Sequence, residues 1–458
     1  MSTTQAPSGL RSWAVLLVLS GAIFLEGIDI SMMGVALPSI RAELGLSTSE
    51  LQWVVSAYVL GYGGFVLLGG RAADLLGRRR MFVGWLAVFL VFSGLGGLAN
   101  DGWVLILARF VTGIAAGFMT PAGLSIITTS YPVGKQRNQA LLVYAGIAAA
   151  GFSLGMVVGG LLTAIDWRWV FFAPVLLAAV LLPAAMFLLP KEVRATQEKK
   201  VFDLGGAFSL TGAMMLLVAS VVRAPDVPVV QTLTTLAAGL LLLTLFVTIE
   251  RRTPVPLVRL GILRNAGLLR ANLGAVALVG SFVGFQFIAV LYLQELRHWS
   301  ELETGLALMV LGIDAILAPT LTPWLVNRFG NGRVVLGGFA FAITAYALFL
   351  PLGADWTYLA MLPTFLLLGL AFSLAYGPLT IAATDGVAEE EQGLASGVLT
   401  TSFQFGSALG LAIVAAVLAA ADELTVEDFR TALVVPLAAA VLGLAASAPA
   451  LVRRTVAA

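Results

Sequence analysis

Stretches of about twenty apolar residues, each long enough to cross the hydrocarbon core of a bilayer as a helix, recur fourteen times along the chain. They begin near Trp13, Leu51, Phe82, Trp103, Gln139, Trp169, Leu204, Thr232, Ala271, Gly305, Val334, Trp356, Ala395 and Thr431. Backbone inside lipid must satisfy its own hydrogen bonds, so helices are the form such stretches take. Composition agrees. The chain is 59% hydrophobic and 11% charged, where a soluble domain carries about 25% charged residues. The expected fold class is an all-α polytopic membrane protein. The first apolar stretch contains Glu26 and Asp29 and lacks a clear small-residue cleavage site, so it reads as a retained span rather than a removed signal.

Loop charges orient the spans. With the N-terminus placed inside, 20 of the 26 Lys and Arg fall in inner segments: Arg11, Arg71, Arg78, Arg79, Arg80, Lys135, Arg137, Lys191, Arg194, Lys199, Lys200, Arg251, Arg252, Arg259, Arg264, Arg270, Arg328, Arg333, Arg453 and Arg454. The outer loops hold Arg41, Arg168, Arg223, Arg297 and Arg430, and Arg109 stands within a span. A miscounted helix would scramble this bias, so it supports fourteen spans with both termini cytoplasmic in the cell inner membrane. The acidic run Glu389 to Glu391 reads as a solvated inner loop, and His298 as a solvated outer residue.

The second part of the chain repeats the first. A shift of 253 residues lays Ser47 on Ser300, Glu50 on Glu303, Asp74 on Asn327 and Gly77 on Gly330. A shift of 255 lays Ala140, Gly151 and Gly155 on Ala395, Gly406 and Gly410. The matched segments run in the same direction, and two parallel six-helix halves with a site between them are a transporter plan. The expected division is an N-terminal bundle over 1–200, two inserted central helices over 201–264, and a C-terminal bundle over 265–458.

Four motifs follow this frame. The loop after the second span reads Gly70-Arg-Ala-Ala-Asp74-Leu-Leu-Gly77-Arg78-Arg79. Arg109-Phe-Val-Thr-Gly113 lies in the fourth span. The fifth holds Gly151, Gly155, Gly159 and Gly160, spacing that lets helix backbones approach closely in lipid. Trp167-Arg168-Trp169-Val170-Phe171 opens the sixth. Together they resemble the major facilitator superfamily, and within it the fourteen-helix drug:proton antiporter family. The first motif is similar to that superfamily's G-x-x-x-D-x-x-G-R-R/K loop, the second to its R-x-x-x-G, the third to the antiporter motif G-x-x-x-G-P-x-x-G-G, with Met156 in place of the proline. Ile28-Asp29-Ile30-Ser31 through Pro38 resembles the family's helix-1 signature, with Gly34 where the family has Asn. The resemblance implies that Gly70, Asp74, Gly77, Arg78 and Arg79 latch one conformation of two rocking halves.

Charges inside a span are costly, about 2.5–3.5 kcal/mol or more at mid-membrane, and are functional by default. Glu26 and Asp29, three apart, share one helix face. Asp29 carries both the burial argument and the family match, so proton coupling is expected at Asp29 and Glu26 with Arg109 as counter-charge, though a static ion pair and a substrate-facing Glu26 are the competing readings. Asp314 is the other acid well inside a span. With Tyr58, Tyr62 and Phe285 it is expected to line a largely apolar substrate cavity. The absence of cysteine and the single histidine exclude a thiolate or imidazole metal centre, no phosphate-binding G-x-x-x-x-G-K-S/T occurs, and the net charge of +1 gives no footprint for nucleic acid. No cofactor and no enzymatic activity are expected. The resemblance implies a monomer that exchanges protons for small lipophilic compounds, cationic ones included: a proton-coupled exporter of drugs or antibiotics. Export of an endogenous metabolite or lipid, and proton-coupled uptake of a nutrient, are the alternatives.

Overall fold

The computed structural model describes residues 9–131, 135–189, 203–224, 227–254, 256–385, 387, 392–419 and 424–448. The helices are α1 Gly9–Leu44, α2 Thr48–Leu76, α3 Arg78–Gly97, α4 Gly102–Ser130, α5 Lys135–Thr163, α6 Trp169–Leu188, α7 Leu204–Val222, α8 Val229–Arg252, α9 Ala266–Leu291, α10 Glu301–Phe329, α11 Asn331–Phe349, α12 Tyr358–Thr384, α13 Gln392–Leu418 and α14 Val426–Ser447. Thirteen of them are long and apolar enough to cross a membrane, and α5 equals them in length at 29 residues. No strand occurs among the described residues. The side chains of Arg11, Asp74, Lys135 and Arg137, and all of Lys191, Arg194, Lys199, Lys200, Glu389, Glu390, Glu391, Arg453 and Arg454, lie outside the described residues.

The repeat is visible at helix ends. Ser47 caps α2 by accepting the Glu50 amide while Glu50 reaches back to the Ser47 amide, and Ser300 and Glu303 do the same for α10. Such a reciprocal box satisfies amides that a helix start otherwise leaves bare. At the other ends of these helices Gly77 and Gly330 turn the chain at φ 104° and φ 85°. Only glycine adopts that backbone without strain. A side chain at Gly330 would meet nothing within 4 Å, so substitution there tests the backbone alone. Gly330→Ala is expected to lower stability by about 1–3 kcal/mol, read by thermal unfolding in detergent, whereas Gly337→Ala, equally open but helical, is expected to lose nothing.

Packing follows the same echo. α1 lies on α5 and α6, as α9 lies on α13 and α14; α3 lies on α4 and α6, as α11 lies on α12 and α14. Across the seam α2 meets α13 and α5 meets α10, a reciprocal exchange. Lipid gives helices no hydrophobic reason to associate, so close backbone approach must do it. Gly61, Gly69, Gly113 and Gly117 supply it between α2 and α4: a Cβ at Gly113 would stand 2.1 Å from the Tyr58 carbonyl, and one at Gly69 2.2 Å from that of Gly117. α7 packs on α8, α2 and α13, while most of the apolar surface of α8 is left uncovered by the other helices.

Candidate functional site

The α2–α4 glycine crossing brings Tyr58 beneath Arg109, whose guanidinium carbon stands 4.4 Å from the ring centroid. Arg109 Nη1 donates to Asp29 Oδ2 at 2.5 Å and its Nε to the Val54 carbonyl at 3.3 Å. Both partners are shut from solvent, at 2% and 1% exposure. A bare buried charge is far more costly than a paired one, so the pair explains how α1 and α4 each carry an ion here. Asp29 Oδ1 and the Tyr58 hydroxyl have no hydrogen-bond partner among the described residues.

Glu26 does not share the arginine. The Thr120 hydroxyl donates to its two oxygens at 2.6 and 2.7 Å, and Glu26 is buried. Tyr62 lies within electrostatic reach of Glu26 and meets Tyr58 edge-on with centroids 6.3 Å apart. Sequence reasoning missed Thr120, although a signal was present. Arg109 and Thr120 stand eleven residues apart, about three turns, so they share a face of α4, as Asp29 and Glu26 share one of α1.

Across the seam, Asp314 begins the second α-helical piece of α10, after a 3-10 stretch over Met309–Ile313. It lies within electrostatic reach of Tyr376, as does Tyr62. Tyr376 stacks on Phe403 at 4.4 Å and keeps 42% of its surface exposed. Phe285 is placed elsewhere: fully buried, it packs against Tyr346, Phe349 and Phe365.

The fifth-span glycines divide their work. Gly151, Gly155 and Gly159 face α1 at Phe24, Ser31 and Met32, while Gly160 faces the Glu301 carbonyl of α10. α5 runs on through Met156, whose carbonyl abuts Gly305. Gly34, where the resembling family has Asn, leaves room for the Gln286 amide of α9 at 3.5 Å. In the loop motif, Gly70 lies on Pro121, Arg79 donates to the Met186 carbonyl at the end of α6, and Arg78 is half-buried at the start of α3. Trp167 donates to Glu43 at 2.7 Å and Arg168 pairs with the same carboxylate, joining α1 to the start of α6.

The end that charge assigns to the outside holds contacts across the seam. Ser39 donates to Glu301 at 2.9 Å, Arg41 pairs with Glu295 at 3.0 Å, and Gln294 donates to the Val35 carbonyl at 3.1 Å. The α9 extension Tyr292–Leu296 is a π turn, whose extra residue re-aims side chains; here it carries Gln294 and Glu295. These groups rim a vestibule of about 670 Å³. The Arg41–Glu295 pair is partly exposed, so it contributes about 0.2–1 kcal/mol. Glu295→Gln is accordingly expected to raise the reactivity of a single cysteine placed at Ser39 toward an external, membrane-impermeant thiol reagent by about two- to fivefold. The absence of native cysteine makes that labelling clean.

The family profile described as Major Facilitator Superfamily matches residues 19–411. The puromycin resistance protein of Streptomyces alboniger is 33% identical over 441 residues, covering 93% of this chain and 86% of its own. The cephamycin export protein of Amycolatopsis lactamdurans is 32% identical over 431 residues, covering 90% and 86%. Among solved structures, a bacterial homologue of the human lysosomal transporter Spinster superimposes with a TM-score of 0.67 over 96% of this chain and 97% of its own, at 17% identity.

Proposed function

The chain belongs to the major facilitator superfamily, and from that premise we propose that this multi-pass inner-membrane transporter exports lipophilic drugs or antibiotics, cationic ones included, in exchange for protons. The observation that carries the coupling is the buried Asp29–Arg109 pair with Glu26 three residues away, held by Thr120 rather than by a cation. Asp29 and Glu26 are the proton carriers in this reading, and Arg109 the counter-charge that Asp29 gives up when it is protonated. The puromycin and cephamycin relatives supply the substrate class. Asp314, Tyr58 and Tyr62 are assigned to the substrate cavity; Phe285, packed among Tyr346, Phe349 and Phe365, is not.

Residues 1–200 and 265–458 act as two rocking six-helix bundles and 201–264 as an insertion, in a protein that works as a monomer without a cofactor. The loop from Gly70 to Arg79 latches one of the rocking states. A potential of 100 mV contributes about 2.3 kcal/mol per charge moved, enough to concentrate a compound tens of fold per proton at about 1.4 kcal/mol per decade.

A susceptibility panel in a host stripped of efflux pumps, with and without an uncoupler, tests the proposal. Expression should protect against a set of lipophilic antibiotics, and the uncoupler should remove the protection. Protection that persists with the gradient collapsed, or none against any compound, rejects it. Inward accumulation of a nutrient in energised vesicles would favour the symport alternative.

A further inference from the structure

Two acids stand apart from this machinery, in the inserted helices. Asp203 caps α7, its Oδ1 accepting the Gly206 amide at 2.6 Å. Glu250 lies in the last turn of α8, its Oε2 accepting the Val258 amide at 3.0 Å. Both residues are buried, at 5% and 4% exposure. Each gives one oxygen to a backbone amide. The other oxygens, Asp203 Oδ2 and Glu250 Oε1, have no hydrogen-bond partner among the described residues.

These two oxygens converge on one space. A Cβ added at Gly206 would stand 2.7 Å from each of them. The glycine therefore keeps open the gap into which both point. Among the described residues neither acid forms an ion pair. Glu250 feels Asp203 as its charged neighbour. Arg251 and Arg252, next along α8, and Arg259 and Arg264, in the following turn, are exposed. On α2 the ionisable residues at this end are Arg71, half-buried, and Asp74; α13, which also packs on α7, carries no charged residue between Gln392 and Leu418.

Two ionised carboxylates facing each other away from water would suffer both desolvation and mutual repulsion. A single proton between the free oxygens replaces that conflict with one charge-assisted hydrogen bond, a carboxylic O–H donating to a carboxylate. We infer that Asp203 and Glu250 form a proton-binding site, separate from the Asp29 centre, that fastens the start of α7 to the end of α8 and to the chain at Val258. Because α7 also lies on α2 and α13, the occupied site holds the insertion against both sides of the seam. It lies at the end that loop charge assigns to the cytoplasm, so its occupancy follows internal pH.

The test uses the purified full-length chain. Glu250→Gln puts an amide N–H where the shared proton would be, and so keeps the contact at every pH. Wild-type melting temperature should fall as pH rises above the ordinary carboxylate range near about 4, because the folded state holds a proton that the unfolded acids release. The Glu250→Gln curve should be flatter over the same range, and the variant should lose the infrared carbonyl band of one protonated carboxylic acid. Asp203→Asn should flatten the curve in the same way, and Gly206→Ala, which fills the gap, should flatten and lower it. Parallel wild-type and variant profiles with an unchanged infrared band overturn the proposal. So does stabilisation of the wild type, but not of Glu250→Gln, by added potassium or magnesium at fixed pH, which would assign the gap to a metal cation instead. None of these readouts involves transport, so they stand or fall independently of the export reading.

Discussion

Asp29→Asn should abolish drug-driven proton release in proteoliposomes. The substitution removes the one carboxylate bonded to Arg109, 2.5 Å away in a site closed to solvent. An amide cannot take up a transported proton. It also leaves a buried guanidinium without its counter-charge, and breaking one side of such a pair costs about 3–5 kcal/mol. The variant should therefore be both uncoupled and less stable. The two effects separate in the double variant Asp29→Asn with Arg109→Gln, which removes both charges. Its stability should recover most of the loss while coupling stays absent. Wild-type coupling in Asp29→Asn would defeat the assignment of this acid, and coupling restored in the double variant would reduce the pair to a structural tie.

Gly155→Val should cost transport altogether. A Cβ there would stand 2.0 Å from the Ser31 hydroxyl oxygen and 2.9 Å from the Ile28 Cα. Ser31 cannot simply step aside, since it donates to the Gly27 carbonyl at 2.8 Å and backbone stands behind it. α1 and α5 must part, and α1 carries Glu26 and Asp29. Overpacking of this kind reaches about 3 kcal/mol or more when backbone has to move. Gly34→Ala is the matched comparison on α1, because its nearest neighbour, the Gln286 amide, is 3.5 Å away. It should transport normally. Equal activity in the two variants would show that the α1–α5 crossing is slack.

Much of this architecture is legible in the sequence, because lipid imposes rules that act on single residues. Span length and the 253-residue echo both appear in the structure, the echo down to matched capping boxes and glycines of positive φ. Asp29 and Arg109 stood out because a charge inside a span needs a partner, and each was the other's best option. Thr120 did not, since a threonine in a helix reads the same whether it bonds its own backbone or an acid on the next helix. Phe285 shows the same ambiguity among aromatics: the sequence places it in a span, and packing alone decides between a cavity wall and a cluster with Phe349 and Phe365.

The outer contacts were hidden for a geometric reason. The repeat lays Arg41 on Gln294, yet the residue that pairs with Arg41 is Glu295, in a π turn that the echo does not contain. Asp203 and Glu250 read in the sequence as solvated helix-end acids, Asp203 three residues after Lys200 and Glu250 beside Arg251 and Arg252. Only the fold of the insertion buries them together.

The capping boxes at Ser47 and Ser300 bear on how easily the outer rim can part. Each box closes within four consecutive residues of its own chain segment. These bonds are internal to each segment, so movement of α2 or α10 against its neighbours leaves the capped amides of Ser47, Glu50, Ser300 and Glu303 with their acceptors. Parting of the rim contacts at Ser39, Arg41 and Gln294 would therefore leave both capped helix starts intact.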